Sequence, residues 1–252
     1  MGSDLNLWAS SGYALDLGTN AVLVAGNVNN NGGSGLTGAA GSRVSLNGTG
    51  TQFALVINSP NTDLEINKAA GTASMGVTGP TVRNVSLANG TMDAGGTATF
   101  NVGGNWTQTG GTFSPPAATT VLFNSGAAGR TISQTAGSRF GVIKSSGTGS
   151  IRTTSGITVD GALDVLNGAF EFGAGTSTVS GQARVYGGAT LIVSSAVVNF
   201  SNTLGDSVLI DSTPAPGTFR LTTASPSPMV GLTGTLTSRG TFESQAISNV
   251  IR

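Results

Sequence analysis

Apolar residues in this chain come in very short alternating runs, and each run is cut off by Gly, Asn, Ser or Pro. Leu15-Asp16-Leu17, Val22-Leu23-Val24, Val44-Ser45-Leu46, Leu64-Glu65-Ile66, Thr97-Ala98-Thr99-Phe100 and Phe170-Glu171-Phe172 are examples. A period of two is the mark of a strand with one buried face. An amphipathic helix needs apolar residues at spacings of three and four over ten or more positions, and no window provides them. The 40 glycines reinforce this, because each costs a helix interior about 1 kcal/mol relative to alanine. The chain is therefore read as all-β, built from short strands that begin roughly every eight to twelve residues.

Composition narrows the class further. Only 9% of residues are charged, against roughly 25% in an ordinary soluble domain. Disordered segments combine low hydrophobicity with high charge, whereas here 38% of residues are hydrophobic and recur along the whole length. Glycine has no three-residue period, which excludes collagen. Eleven basic and eleven acidic residues are thinly scattered. Without a basic stripe there is nothing to neutralise a row of phosphates, so nucleic acid is excluded as a partner. Apolar runs, such as Ala54–Ile57, are far too short for a transmembrane helix. Cysteine is absent, so backbone ladders and stacking must replace disulfides. Met1-Gly2-Ser3 has neither a basic nor an apolar region and reads as a tag remnant at residues 1–3, with any export signal expected outside this sequence.

Strand spacing alone does not separate sandwich, barrel and solenoid, so internal repeats decide. Asn89-Gly90-Thr91-Met92-Asp93 returns as Asn167-Gly168-Ala169-Phe170-Glu171, at a shift of 78. Gly26-Asn27-Val28, followed by Gly32-Gly33, returns as Gly104-Asn105-Trp106, followed by Gly110-Gly111, at the same shift. Val44-Ser45-Leu46-Asn47 matches Val121-Leu122-Phe123-Asn124, which matches Val198-Asn199-Phe200 in turn, each at a shift of 77. Gly240-Thr241-Phe242-Glu243 echoes Gly168-Ala169-Phe170-Glu171 at 72. These similarities outline copies of a unit at about 26–103, 104–180 and 181–252, preceded by residues 4–25, which resemble the tail of an earlier copy. Such a unit accommodates about three solenoid coils of roughly 20 to 30 residues. No linker separates the copies. Residues 4–252 are accordingly expected to form one continuous β-solenoid, a right-handed parallel β-helix, with tandem small β-sandwiches as the alternative. Stacking lets each coil bury a face it cannot bury alone.

The run Gly104-Asn105-Trp106-Thr107-Gln108-Thr109-Gly110-Gly111-Thr112-Phe113, followed by Val121-Leu122-Phe123-Asn124, Thr131-Ile132-Ser133-Gln134 and Phe140-Gly141-Val142-Ile143, resembles the repeats of very large bacterial cell-surface proteins of the adhesin or filamentous-haemagglutinin type. The resemblance covers most of residues 104–180 and implies a β-solenoid displayed at the cell surface for adhesion or scaffolding. It implies no site residue.

Catalytic chemistry has little to work with. There is no histidine, which removes Ser-His-Asp triads and imidazole ligands. Without cysteine as well, zinc is excluded. Carboxylate pairs remain, since parallel β-helices host glycan-cleaving enzymes that use them. The nearest sets are Asp63 with Glu65, Asp160 with Asp164, and Asp206 with Asp211. Spacing of two puts Asp63 and Glu65 on one face of a strand, and a solvated outer face is the preferred reading. Asp93, Glu171 and Glu243 recur at matched repeat positions, which suits a structural device better than a unique active site. None of the Gly-Gly pairs at 32, 95, 103, 110 and 187 opens a calcium-roll motif. Gly147-Thr148-Gly149 lacks the strand–loop–helix setting of a phosphate cradle and is read as a turn. Thr-x-Thr at 97, 107, 176 and 235 lacks the one-pair-per-coil regularity of an ice-binding face. Asn47, Asn84, Asn89 and Asn105 match glycosylation acceptors but are expected in turns or inter-coil ladders. Of the residues able to stack on sugars, Trp8, Tyr13, Trp106 and Tyr186, Trp106 is assigned to the core.

No catalytic, cofactor or metal residue is therefore expected. The expected role is a non-enzymatic structural or adhesive segment, extracellular or at the cell surface. Surface glycans, or further copies of the chain joined end to end through Ala246–Ile251, are the expected partners. The alternatives are a self-assembling filament subunit and a carbohydrate-active β-helix enzyme acting through Asp160, Asp164, Asp206 or Asp211.

Overall fold

The structure is a computed structural model that describes residues 4–7, 15–30, 35–54, 57–76, 79–95, 99–222, 228–245 and 250–251. Trp8, Tyr13, Gly32-Gly33, Thr97-Ala98 and residues 246–249 of the terminal segment lie outside the described residues. The described residues form short strands and no helix, so none crosses a membrane as a helix. Their pairings are parallel throughout. Together the strands stack as a β-solenoid of about 10 turns. Tandem sandwiches, which are built from antiparallel sheets, are excluded.

The chain divides into two compact units, residues 1–120 with 135–138, and residues 121–134 with 139–252. In the first, the main ladder runs through Ala21–Val24, Arg43–Leu46, Asp63–Ser74, Val85–Asp93 and Trp106–Gln108. Its inward column stacks Val44, Leu64, Val85 and Trp106, all essentially inaccessible. Trp106 lies 4.8 Å from Phe113, and Phe113 lies 6.0 Å from Phe100, ring centre to ring centre. A second ladder joins Asn58–Ser59, Thr81–Val82 and Thr99–Val102.

In the second unit the strands fall into three ladders. One contains Arg130–Ser133, Ser150–Thr153, Ala169–Phe172, Thr190–Val193, Thr218–Leu221 and Thr241–Ser244. Another contains Thr120–Phe123 (all but its first residue in this unit), Val142–Ser145, Leu163–Val165, Ala183–Val185, Asp206–Ile210 and Thr235–Ser238. The third contains Thr158–Val159, Gly175–Val179, Ala196–Phe200, Met229–Leu232 and Val250–Ile251. Ile151, Phe170, Leu191, Phe219 and Phe242 follow one another up the inner face of the first ladder. Edge-to-face contacts run from Phe170 through Phe172, Phe200 and Phe219 to Phe242 at 5.2–6.3 Å. Each buried aromatic contributes about 1.5–3 kcal/mol from area alone and stacks best in this edge-to-face geometry.

The structural period is the single coil, and its length varies. Ser150 pairs with Ala169 across a short coil, and Asp206 pairs with Thr235 across a much longer one. The shift of 72 equals three coils, because Ala169, Thr190, Thr218 and Thr241 share one column. The shift of 77 has a different structural meaning. Val121–Phe123 and Val198–Phe200 lie in different ladders. What they share is the in–out alternation of a buried strand, with Val121, Phe123, Val198 and Phe200 all inward.

Candidate functional site

Outward-facing positions carry most of the chain's charge, and most of these charges have a partner one coil away. Seven ion pairs occur among the described residues: Arg43–Glu65, Arg83–Asp63, Arg139–Asp160, Lys144–Asp164, Arg152–Glu171, Arg184–Asp211 and Arg220–Glu243. In each, the partners are separated in sequence by about one coil, so every pair bridges adjacent coils. Most are too exposed to contribute more than about 1 kcal/mol each. Their geometry does more for register, since a slip of one coil separates each charge from its partner.

Two pairs are tighter. Arg83 grips Asp63 with both Nε and a terminal nitrogen, at 2.8 and 2.7 Å. Arg184 meets Asp211 through Nε at 2.8 Å and a terminal nitrogen at 2.6 Å, with its guanidinium 4.4 Å from the Tyr186 ring centre. In both, hydrogen bonding to the carboxylate raises the arginine above its ordinary pKa. Asp206 accepts the hydroxyls of Thr235 and Thr237 at 2.6 and 2.7 Å, and these two bonds hold it below the ordinary aspartate range.

The structure thus places every acid singled out in the sequence. Asp160, Asp164 and Asp211 each face their own cation, and Asp206 faces two hydroxyls. Asp93 accepts from the Gly95 amide and Asp16 from that of Gly18, both closing turns. Glu171 and Glu243 occupy the same column three coils apart. No group of three acids that would hold a metal ion exists among the described residues.

An open groove of about 260 Å³ lies on the outer face of the first unit. Its floor is the polar face of four consecutive rungs. Arg43, Asp63 and Glu65 lie at one end, and Asn84, Ser86, Asn105 and Thr107 continue it. Strand alternation dictates this, because Leu64 and Val85 point inward between them. Asn84 knits the rungs together. Its amide donates to Asp63 and its carbonyl accepts from the Asn105 backbone, each at 2.8 Å. Asn29 with Asn6 and Asn89 with Asn67 repeat this side-chain ladder at 2.9 Å. Two of the four glycosylation-type asparagines, Asn84 and Asn89, therefore act as inter-coil ties. Trp106 is in the core and Tyr186 stands beneath Arg184.

Two site residues had no signal in the sequence. Lys68 is completely buried, and its Nζ donates to the Gly48 carbonyl at 2.6 Å and to Gln52 Oε1 at 2.5 Å. Burial depresses its pKa. Gln52 is buried with it. The alternation Leu64, Ile66, Lys68 puts the lysine at an inward position, but a lysine there is ordinarily read as the point where the strand leaves the core.

Comparison with protein-family models, with curated proteins and with solved structures finds no match to this chain.

Proposed function

We infer that the chain is a non-enzymatic structural and adhesive segment of an extracellular, surface-displayed bacterial protein of the filamentous-haemagglutinin-like kind. The observation that carries this reading is the use of the carboxylates. Those of Asp63, Glu65, Asp160, Asp164, Glu171, Asp211 and Glu243 bind a neighbouring coil, and those of Asp16, Asp93 and Asp206 bind turns or hydroxyls. Acid–base cleavage of a glycan needs two carboxyl groups facing one bond, and these are each committed elsewhere. The outer faces offer rows of Asn, Ser, Thr and paired charges, a surface suited to weak, repeated hydrogen bonding with sugar hydroxyls. The groove over Asp63, Asn84 and Asn105 is the strongest single contact point.

Multivalency is the means by which weak contacts become useful adhesion. Beads carrying the protein at rising surface density, exposed to immobilised surface polysaccharides, test the reading. Retention that climbs steeply with density, without shortening of the polysaccharide, supports it. Release of reducing ends, or equal retention at all densities, overturns it.

Self-assembly is a second reading, favoured by one observation. The strand Thr241–Ser244 pairs with Thr218–Leu221, and its aromatic side chain Phe242 is 38% exposed. An exposed aromatic side chain of this kind offers an apolar contact to another copy.

A further inference from the structure

Lys68 is the least explained residue in the first unit. Two long polar side chains, Lys68 and Gln52, are sealed in the core with no access to water. No carboxylate lies within ion-pair distance of Lys68 among the described residues, whereas seven other cations have one. A buried ammonium without a counter-ion costs several kcal/mol, so burial works toward the neutral amine. A neutral amine has two N–H groups. Both are donated, one to Gly48 O and one to Gln52 Oε1.

The Gln52 amide is held from both ends. Its oxygen also accepts the Gly48 N–H at 2.9 Å, a backbone donor placed where negative charge develops in an attack on the carbonyl. Its nitrogen donates to Val24 O at 2.8 Å and to Gly26 O. Glycines clear the space. A Cβ at position 90 meets Lys68 Cβ at 2.7 Å, and one at position 48 meets the Ala25 carbonyl oxygen at 2.0 Å and Gln52 Cδ at 3.0 Å. Two side chains already held in contact in a dry site give up little further entropy on reacting.

We propose that Lys68 and Gln52 form an intramolecular isopeptide bond. Lys68 Nζ adds to Gln52 Cδ, the Cδ–Nε2 bond breaks, and a proton passes from Nζ to Nε2. The products are a secondary amide and one ammonia, with no oxidant or co-reactant required. The link closes a covalent ring across strands Gln52–Phe53 and Asp63–Ser74, which already pair through Gln52 and Ala73. It removes the buried amine and ties the corner of one coil to the next. The proposal is independent of any adhesive role.

Mass spectrometry of the full chain tests it. The expected intact mass is one ammonia below that of the sequence. After denaturation and trypsin, the linked chain yields a single peptide spanning residues 44–83, uncut at Lys68 and one ammonia light. Lys68→Met and Gln52→Met are each expected at full sequence mass. Chain held in denaturant from synthesis onward is also expected at full mass, which ties the reaction to folding and requires no variant to fold. Wild-type protein at full mass, with trypsin cutting after Lys68, overturns the proposal. So does an ammonia loss that persists in Lys68→Met, which assigns it to an Asn-Gly imide instead.

Discussion

Replacing Phe219 by alanine probes whether the aromatic stack carries the second unit. Phe219 is wholly buried, and its ring meets Phe200 at 6.3 Å and Phe242 at 5.6 Å, both edge-to-face. Truncating a buried Phe to Ala costs about 3–5 kcal/mol when neighbours do not collapse into the space. Here the flanking coils are pinned by backbone pairing to Thr190–Val193 on one side and Thr241–Ser244 on the other, so collapse is restricted. Two aromatic contacts are also lost, each worth about 0.5–1.5 kcal/mol, which places Phe219→Ala at the upper end, about 5 kcal/mol. Phe219→Leu keeps most of the volume and loses chiefly the ring contacts, for about 1–2 kcal/mol. Urea unfolding followed by circular dichroism measures both. Because solenoid stability is a sum of coil and neighbour terms, amide exchange should accelerate in the three strands around position 219 and much less around Ile143 and Leu163. A cost below about 1 kcal/mol for Phe219→Ala, or exchange that accelerates uniformly through the unit, refutes the reasoning.

Two further outcomes follow from the same geometry. Gly168 and Gly188 both have positive φ, at +62° and +82°, but a Cβ at 168 meets the Gly149 carbonyl oxygen at 2.2 Å whereas one at 188 meets nothing within 4 Å. Gly188→Ala should therefore cost only the left-handed strain of about 1–2 kcal/mol, and Gly168→Ala distinctly more in the same thermal unfolding assay, because backbone must move. For Asp206, hydroxyl bonds lower the folded pKa, so the group stabilises the fold above its unfolded pKa of about 3.9 and ceases to do so as pH falls through the lower folded value. Melting temperatures of wild type and Asp206→Asn should differ at neutral pH and converge in acid. A gap that widens on acidification contradicts the assignment.

Much of the architecture was legible because alternation is a local property. Phe170-Glu171-Phe172 and Leu64-Glu65-Ile66 each announce two inward apolar residues flanking one outward acid, and the structure places them so. Trp106 was legible as core because it stands at the repeat position held by Val28, and both are buried. The coil period was harder to see. Corners of unequal length vary it, from the short coil that joins Ser150 to Ala169 to the long one that joins Asp206 to Thr235. Alternation that recurs in different ladders then mimics a longer repeat. The ion pairs were hidden for the same reason, since Arg184 and Asp211 become neighbours only once the coil length between them is known. Lys68 and Gln52 were invisible because a buried amine next to a buried amide breaks the rule that long polar side chains face water.

The corner between Ile210 and Thr218 has a wider consequence. It makes its coil longer than the coils on either side, yet Thr190 still pairs with Thr218 and Val193 with Leu221. Insertions at corners therefore leave the rungs untouched. Such a scaffold separates what must be inherited unchanged from what is free to diversify. Longer loops are accommodated at the corners one coil at a time, and the ladder supplies the same support to each.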